Sequence, residues 1–345
     1  MKEKIRCAVL GLGRLGYWHA ENLAAKVKGA KLASVVDPLA GQAEKVAREL
    51  GVAAFSQFPE EVMADPAIDA VIIATPTSTH AEMIKLAATH GKHIFVEKPI
   101  TSRLDLADEL IEVIERQGVH CMVGFMRRFD PAYAEAKRRI FAGDIGKPIY
   151  YKGISRDPGS PPPEFIRHSG GIFLDLSIHD YDIARFLLDA EVESVSAHGR
   201  ILLHDFMQEF SDVDQAITYL TFDSGAAGDI EASRNASYGY DIRGEVVGTE
   251  GTLMIGSHKY HDVHILNAQG KTHSIVPAFP QRFRESYLLE MEHFIESLRK
   301  GQKPSVTQQD GRAALAIAIA ARQSFEAGAA VSLHTPTKPE DSSVV

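Results

Sequence analysis

The sequence predicts an α/β protein in which a doubly wound parallel sheet precedes an α+β domain with a large open, mainly antiparallel sheet. Short apolar runs alternate with amphipathic stretches in residues 1–120, which is typical of parallel βαβ units. After Gly124, several strand-like runs follow one another with turn residues between them. The length of 345 residues suits two domains. We place them at residues 1–123 and 124–335, followed by a loose tail at 336–345.

The elements of the first domain follow from its hydrophobic pattern. Runs rich in Val and Ile predict parallel strands that are buried on both faces. These runs are Ile5–Leu10, Lys31–Val36, Ala70–Ala74, His93–Val96 and His120–Val123. Amphipathic helices are predicted between them at Tyr17–Val27, Ala40–Leu50, His80–His90 and Leu104–Gln117. Right-handed crossovers then bring the carboxyl ends of the strands to one edge of the sheet.

The second domain has a different pattern of elements. Helices are predicted at Pro131–Ala142, Ile172–Leu188, Arg284–Lys300 and Gln308–Ala327. Strands are predicted at Ile149–Ile154, Val192–Arg200, Val213–Phe222, Ala226–Ser233, Asp241–Gly248, Thr252–Gly256 and Val263–Asn267. The proline-rich segment Ser155–Gly171 predicts a long loop. An antiparallel sheet of this size needs cover on its second face, so we expect sheet-to-sheet oligomerisation.

Composition excludes several classes of protein. The 37 basic and 46 acidic side chains give a net charge of -9, which argues against a general nucleic-acid binder and against docking on anionic membranes. Cys7 and Cys121 lie in apolar runs and predict two buried free thiols. Ile5–Leu10 is too short for a signal-peptide core and Ala313–Ala321 is too short for a membrane span. We therefore expect a cytoplasmic protein.

A glycine-rich turn directly follows the first predicted strand and opens a helix. Gly11 permits the tight turn, Gly13 lets the backbone approach a pyrophosphate, and Gly16 lets the helix pack closely on the strand. The helix N-terminus supplies oriented N–H groups and partial positive charge for the anion. In this strand–turn–helix context, the motif predicts a dinucleotide-binding site.

An acidic residue ends the second predicted strand. Asp37 lies about 20 residues beyond the glycines, where a carboxylate bonds the ribose hydroxyls of an adenosine and repels a 2′-phosphate. Since no arginine follows it immediately, we predict NAD over NADP as the cofactor. The alternative is that Asp37 caps the next helix.

Two further motifs fall at the carboxyl edge of the predicted sheet, where ligands of this architecture bind. The first runs from Ala74 to His80, and the second is Glu97-Lys98-Pro99 directly after a buried strand. A charged pair at this edge points to function, although a structural ion pair is the alternative.

Taken together, these motifs resemble the glucose-fructose oxidoreductase and inositol dehydrogenase family (Gfo/Idh/MocA). The resemblance covers nearly the whole chain and is closest to the NAD-dependent inositol dehydrogenases, in particular the branch acting on scyllo-inositol. The segments that carry it are Glu97-Lys98-Pro99, 124–130, 170–180 and 238–242.

The resemblance implies a Rossmann NAD-binding domain and a homotetramer. It also implies a set of cofactor-binding residues at the ends of the strands. These are Gly11, Gly13, Arg14, Leu15, Gly16, Asp37, Thr75, Pro76, Thr77, His80, Glu97, Lys98 and Met126.

The predicted helix Ile172–Leu188 is apolar on most of its surface, so it is expected to be buried. Asp175, His179 and Asp182 are spaced i, i+4 and i+7, which places them on one narrow polar stripe facing a cleft. An aspartate one turn before a histidine can orient the imidazole and raise its basicity, as the oxidation of an alcohol requires.

The family pattern implies that Lys98, Asp175 and His179 form a catalytic trio. In these roles His179 takes the hydroxyl proton, Asp175 orients His179, and Lys98 bonds the reacting oxygen. The assignment requires the lysine and the imidazole to converge on one carbinol carbon.

An uncharged polyol needs a site rich in hydrogen bonds. Matching segments give Lys98, Arg127, Asp157, Asp175, His179, Tyr238 and Tyr240 as substrate-binding candidates. Arg156, Arg234 and Arg282 are weaker candidates, and these arginines could equally bind a carboxylate. We expect no metal, because none of the 15 histidines has His-x-x-x-His spacing with acidic support.

The leading hypothesis is an NAD-dependent dehydrogenase that interconverts scyllo- or myo-inositol and its keto form, an inosose. One alternative is an NAD(P)-dependent dehydrogenase of an aldose or a deoxy sugar, and another is an NAD-dependent glycoside hydrolase of the same family. A non-catalytic dinucleotide sensor is disfavoured, since a sensor has no need of a proton relay.

Overall fold

Continuous apolar runs become the central strands of the first sheet, because a strand covered by helices on both faces must be apolar on both. The computed structural model describes residues 3–333. Its first strands are β1 (Ile5–Leu10), β2 (Ala30–Val36), β3 (Ala54–Ser56), β4 (Ala70–Ile73), β5 (His93–Glu97) and β6 (Cys121–Gly124). The helices between them are α1 (Arg14–Ala25), α2 (Gln42–Leu50), α3 (Pro59–Ala64), α4 (Thr77–Thr89) and α5 (Leu104–Gln117).

These six strands form one parallel sheet in the order β3-β2-β1-β4-β5-β6. The order reverses between β1 and β4, which creates a crevice at their carboxyl ends where ligands of this architecture bind. Leu10 is paired with Val36 on one side and with Ile73 on the other. The segments that follow these three residues therefore begin side by side, and the predicted doubly wound sheet is confirmed.

The sequence prediction missed β3 and α3. The strand is only three residues long and the helix only six, with Pro59 at its first position. Elements this short carry too few residues to show a period of 2.0 or 3.6.

The remaining chain adds helices and a second, larger sheet. Its helices are α6 (Pro131–Phe141), α7 (Pro163–Ser169), α8 (Gly171–Asp175), α9 (Ile178–Leu188), α10 (Phe279–Lys300) and α11 (Gln308–Ala327). Its strands are β7 (Pro148–Arg156), β8 (Val192–Arg200), β9 (Gln215–Phe222), β10 (Ala227–Ser233), β11 (Asp241–Gly248), β12 (Thr252–Ile255), β13 (Lys259–Asn267), β14 (Gly270–Ile275) and β15 (Val331–Ser332). Short 3₁₀ turns occupy Met126–Phe129 and Asp205–Phe210.

Seven of these strands form a mixed, mostly antiparallel sheet in the order β12-β11-β7-β10-β9-β8-β15. Only β7 and β10 pair in parallel, while β13 and β14 form a separate hairpin. Helix α9 covers one face, where Tyr181 bonds Thr218 at 3.0 Å between hydroxyl oxygens. On the other face, Ile217 and Tyr219 are 45% and 44% exposed, as strand alternation requires.

The predicted boundary at residues 123/124 differs from the packing of the chain. The first compact unit extends through Ala134 and includes residues 279–315, so α10 and the start of α11 pack with the parallel sheet. Among the described residues, the second unit consists of 135–278 and 316–333. The hydrophobic periodicity of a sequence predicts a helix, but it does not predict the sheet against which that helix packs.

The predicted single helix Ile172–Leu188 is wrong in one respect, because the structure breaks it between α8 and α9. Leu176 and Ser177 both donate backbone N–H groups to the carbonyl oxygen of Ile172, so the helical repeat is interrupted there. The preceding segment, predicted as a loop, contains the short helix α7.

Cys7 and Cys121 are buried free thiols, as predicted. Burial raises the pKa of the Cys121 thiol to about 12, so this thiol is unreactive at neutral pH.

Within residues 3–333, no helix combines the length and the apolar content needed to cross a membrane. The predicted loose tail at 336–345 lies outside the described residues.

Candidate active site

The glycine-rich turn has the geometry that a pyrophosphate needs. Gly11 has a φ of +83°, and a Cβ there would lie 2.7 Å from the carbonyl oxygen of Ala74. A Cβ on Gly16 would lie 1.8 Å from the Gly11 carbonyl oxygen, so only glycine lets α1 start here. Around Gly13, by contrast, nothing lies within 4 Å of the Cβ position. The turn therefore leaves open space directly before the N-terminus of α1, where Arg14 and Leu15 begin the helix.

The acidic side chain at the end of β2 is fixed beside this turn. The Asp37 carboxylate accepts hydrogen bonds from the backbone N–H of Leu12 at 2.7 Å and of Leu39 at 2.9 Å. Helix α2 begins only at Gln42 and has Gly41 as its N-cap, so Asp37 does not cap that helix. The first N–H bond holds the carboxylate next to the glycine turn, as the binding of an adenosine ribose requires.

The third motif lies at the end of β4, around the start of α4. The hydroxyl of Thr79 donates to that of Thr75 at 2.7 Å, and Pro76 is the N-cap of the helix that Thr77 begins. His80 is 1% exposed, and its ring nitrogens lie 2.8 Å from the Pro99 carbonyl oxygen and 2.9 Å from the Thr75 carbonyl oxygen. Burial is the main reason that the pKa of His80 is lowered.

His80 thus ties the loop after β4 to the loop after β5. Both of its ring nitrogens face backbone oxygens, and the side chain is buried. These contacts fix the backbone of the two loops relative to each other.

The Glu97-Lys98 pair divides into a buried member and a half-exposed one. Glu97 ends β5 and is 6% exposed, and its carboxylate lies 2.7 Å from the Nε2 atom of His19 on α1. Lys98 is half-buried at the carboxyl edge of the sheet. The buried partner of Glu97 is therefore a histidine that sequence reasoning did not single out.

A third side chain, Glu290 of α10, completes a buried cluster with Glu97 and His19. Ligand-type atoms of the three residues all lie within 4.8 Å of one another. Glu290 is 0% exposed, and burial and the nearby Glu97 raise its pKa well above its ordinary value. Both effects therefore favour the protonated form of the Glu290 carboxyl. The signal that could have found it is an acidic residue among the core positions of an amphipathic helix.

Two predicted residues follow β6 in a 3₁₀ turn. Met126 is 3% exposed and Arg127 is 1% exposed, which makes this arginine one of the largest fully buried side chains. The guanidinium of Arg127 lies over the ring of Phe283 at 5.7 Å. The weaker candidate Arg282 pairs instead with Asp130, at 2.5 Å between nitrogen and oxygen.

In the second unit, the structure brings together Asp157 and Asp175 at one guanidinium. The Nη2 atom of Arg234 lies 3.1 Å from a carboxylate oxygen of Asp175, and its Nη1 atom lies 3.8 Å from one of Asp157. Asp157 follows β7 and Arg234 follows β10, and these strands are parallel neighbours. Arg234 was only a weaker candidate from the sequence, because ion pairs between residues this far apart leave no local pattern.

The predicted polar stripe is corrected by the break between α8 and α9. Asp175 is the last residue of α8 and His179 is the second residue of α9, so they do not share one regular helix. His179 is 7% exposed, whereas Asp182 is fully buried and does not line a cleft.

Tyr238 and Tyr240 lie just before β11 in different environments. The hydroxyl of Tyr238 donates to Asp241 at 2.7 Å and accepts from Arg156 at 3.1 Å, while the ring is 43% exposed. Tyr240 is 7% exposed. Burial alone raises the pKa of Asp241, but hydrogen bonds from Arg243 and Tyr238 bring it below its ordinary value. Asp241 therefore stays ionised and anchors Tyr238.

Two family models match this chain. One, described as the NAD-binding Rossmann fold of an oxidoreductase family, matches residues 5–125. The other, described as the C-terminal alpha/beta domain of the same oxidoreductase family, matches residues 137–333.

Individual relatives agree with these models over nearly the whole chain. A scyllo-inositol 2-dehydrogenase (NAD⁺) of Bacillus subtilis is 60% identical over 333 residues, which is 96% of this chain and 97% of that protein. A myo-inositol 2-dehydrogenase of Thermotoga maritima is 39% identical over 95% of this chain and 98% of that protein. The crystal structure of a Lactobacillus casei scyllo-inositol dehydrogenase with NAD(H) and scyllo-inositol has a TM-score of 0.91. It is 31% identical and covers 95% of this chain and 99% of that chain.

Proposed function

Because this chain belongs to the Gfo/Idh/MocA oxidoreductase family, we propose that it is an NAD-dependent inositol 2-dehydrogenase acting on scyllo-inositol. The observation that carries the proposal is 60% identity over nearly full length to an NAD-dependent scyllo-inositol 2-dehydrogenase. Myo-inositol is the second candidate substrate, since a relative named for it is 39% identical.

The cofactor is NAD, and the turn around Gly13 has room for its pyrophosphate. We propose that Asp37 bonds the adenosine ribose and that Thr75, Pro76 and Thr77 line the nicotinamide end of the crevice, together with Met126. Backbone N–H groups of Arg14 and Leu15 would face the phosphates at the start of α1. NAD⁺, when bound, accepts a hydride from the substrate.

The chain's own residues handle the proton and orient the substrate. We propose that His179 takes the proton of one ring hydroxyl as the C–H bond of the same carbon breaks and the carbon–oxygen double bond forms. Lys98 donates a hydrogen bond to the reacting oxygen and stabilises its developing negative charge. Asp175 stabilises the protonated imidazole. In the reverse direction, His179 returns the proton to the keto oxygen.

Arg127, Asp157, Tyr238 and Tyr240 are proposed to hold the other hydroxyls of the ring. The exposed ring of Tyr238, fixed by Asp241 and Arg156, supports this role. Arg127 and Tyr240 are almost fully buried, so each can offer only a small part of its surface to a substrate.

A substrate panel tests the proposed function. Wild-type protein is incubated with scyllo-, myo- and chiro-inositol, glucose and xylose, each with NAD and with NADP, and reduced nicotinamide is followed by absorbance at mildly alkaline pH. We expect scyllo-inositol with NAD to give the highest kcat/KM. Higher kcat/KM with a sugar would favour the aldose dehydrogenase, and glycoside cleavage without net NADH would favour the hydrolase.

We further propose a cytoplasmic homotetramer. The free thiols Cys7 and Cys121 suit a reducing compartment. The exposed apolar side chains Ile217 and Tyr219 on the outer face of the second sheet suit contact with another copy of the chain. Sedimentation at micromolar concentration should show a tetramer, and a monomer alone would contradict this assembly.

A further inference from the structure

Two carboxylates proposed for the substrate site share one buried arginine. We propose that Arg234 is a positioning residue that holds Asp157 and Asp175 side by side, so that the pair accepts hydrogen bonds from two hydroxyls of the polyol. This inference rests on the proposed function and adds a residue that does not itself touch the substrate.

The difference in burial separates Arg234 from its partners. The Arg234 side chain is 0% exposed, while those of Asp157 and Asp175 are 24% and 21% exposed. A ligand can therefore reach the carboxylates but not the guanidinium. The Asp175 carboxylate accepts a hydrogen bond from Nη2 of Arg234 at 3.1 Å, and the Asp157 carboxylate faces Nη1 at an ion-pair distance of 3.8 Å. A planar guanidinium presents these two nitrogens in a fixed geometry, so it attracts the two carboxylates to fixed positions.

The backbone holds all three side chains in register. The N–H of Asp157 donates to the Ser233 carbonyl oxygen at 2.8 Å, and the N–H of Arg234 donates to the Asp214 carbonyl oxygen at 2.8 Å. Asp157 thus extends the parallel pairing of β7 with β10, and Arg234 extends the antiparallel pairing of β10 with β9. Asp175, which ends α8, is brought to the same edge by its ion pair with Arg234.

The charges around Arg234 also bear on the alternative that the candidate arginines bind the carboxylate group of an acidic substrate. Arg234 is instead balanced by two carboxylates of its own chain, so the local sum of the three groups is one negative charge. Such a pair suits the hydroxyl donors of a neutral polyol.

The experiment compares Arg234→Met and Arg234→Lys with wild type. Arg234→Met is expected to lower kcat/KM for scyllo-inositol by about 10- to 100-fold, mainly through a higher KM, because hydrogen bonds to charged groups are lost. The KM for NAD should not change. Arg234→Lys keeps the positive charge but lacks the planar pair of terminal nitrogens, so it should recover part of the lost kcat/KM.

Arg185→Met is the matched control. Arg185 forms an ion pair with Glu191 at 2.6 Å, and its side chain is 11% exposed in the same unit. This variant removes a comparable pair and should leave both KM values at the wild-type level. Calorimetric binding of scyllo-inositol to the NADH-loaded proteins adds a readout that needs no turnover.

A deoxy analogue separates positioning from general loss of structure. Wild type should have a much higher kcat/KM for inositol than for a cyclitol that lacks one hydroxyl, because the missing hydroxyl leaves a carboxylate without its hydrogen-bond donor. In Arg234→Met the carboxylate is displaced, so the ratio of the two kcat/KM values should be smaller. If both Arg234 variants keep the wild-type KM for scyllo-inositol and the wild-type preference over the deoxy analogue, the proposal is overturned. Failure of the proposed function would appear differently, as wild-type protein that oxidises no inositol.

Discussion

Replacing Lys98 by methionine or His179 by alanine is expected to lower kcat for scyllo-inositol oxidation by about 10²- to 10⁴-fold. His179→Ala removes the group proposed to take the hydroxyl proton, and Lys98→Met removes the hydrogen bond to the reacting oxygen. Both effects act on the transition state, so kcat should fall more than substrate affinity. Initial rates of NADH formation at saturating NAD measure the loss.

Two surface residues provide matched controls. Lys85 pairs with Glu109 and is 36% exposed, and His168 pairs with Glu164 and is 72% exposed. Lys85→Met and His168→Ala should retain wild-type kcat. Undiminished turnover in either Lys98→Met or His179→Ala would remove that residue from the mechanism.

The second large effect concerns stability and the buried carboxyl of Glu290. Burial and the neighbouring Glu97 raise its pKa well above the ordinary value, so the folded protein keeps a proton at pH values where the unfolded chain has already released it. Stability is therefore greatest below the unfolded pKa of about 4.3 and falls as the pH rises toward the folded pKa, by up to about 1.4 kcal/mol per pH unit.

Glu290→Gln should abolish that slope, because the amide cannot ionise and resembles the protonated acid in shape. Denaturant unfolding across pH 5–8 should show a variant that becomes progressively more stable than wild type as the pH rises. Glu285→Gln, at an exposed position of the same helix, should follow the wild-type curve.

Two outcomes would contradict this account of Glu290. If the stability of wild type and of Glu290→Gln changes with pH in parallel, the Glu290 carboxyl has the same pKa in the folded and the unfolded chain. A variant that loses stability relative to wild type as the pH rises would mean that the folded protein favours the ionised carboxylate of Glu290.

Elements with a long, uninterrupted hydrophobic period were predictable from the sequence. Helix α5 and strand β11 have the predicted bounds, and so does α11. The glycine turn and Asp37 were also predictable, because their spacing along the chain is itself the requirement for binding a dinucleotide.

Features that depend on tertiary contacts were not predictable. The sequence Ile172–Leu188 contains no proline or glycine, yet the structure divides it into two helices. The N–H of Ile172 donates to Asp212 at 3.0 Å, a partner that no local pattern identifies.

The same limit applies to the candidate site. The proposed catalytic residues were identified from a resemblance and a local spacing, whereas the partners of Asp175 and Glu97 were not. Arg234 lies 59 residues from Asp175, and His19 lies 78 residues from Glu97. Such pairs form only when the chain has folded, so no local pattern in the sequence identifies them.

The central claim is that the ammonium of Lys98 and the imidazole of His179 act on the same hydroxyl of one substrate. A double-mutant cycle of kcat/KM for scyllo-inositol, with wild type, Lys98→Met, His179→Ala and the double variant, measures this most directly. We predict that the double variant loses much less than the product of the two single losses. A double loss equal to that product would show that the two residues act independently and would contradict the mechanism.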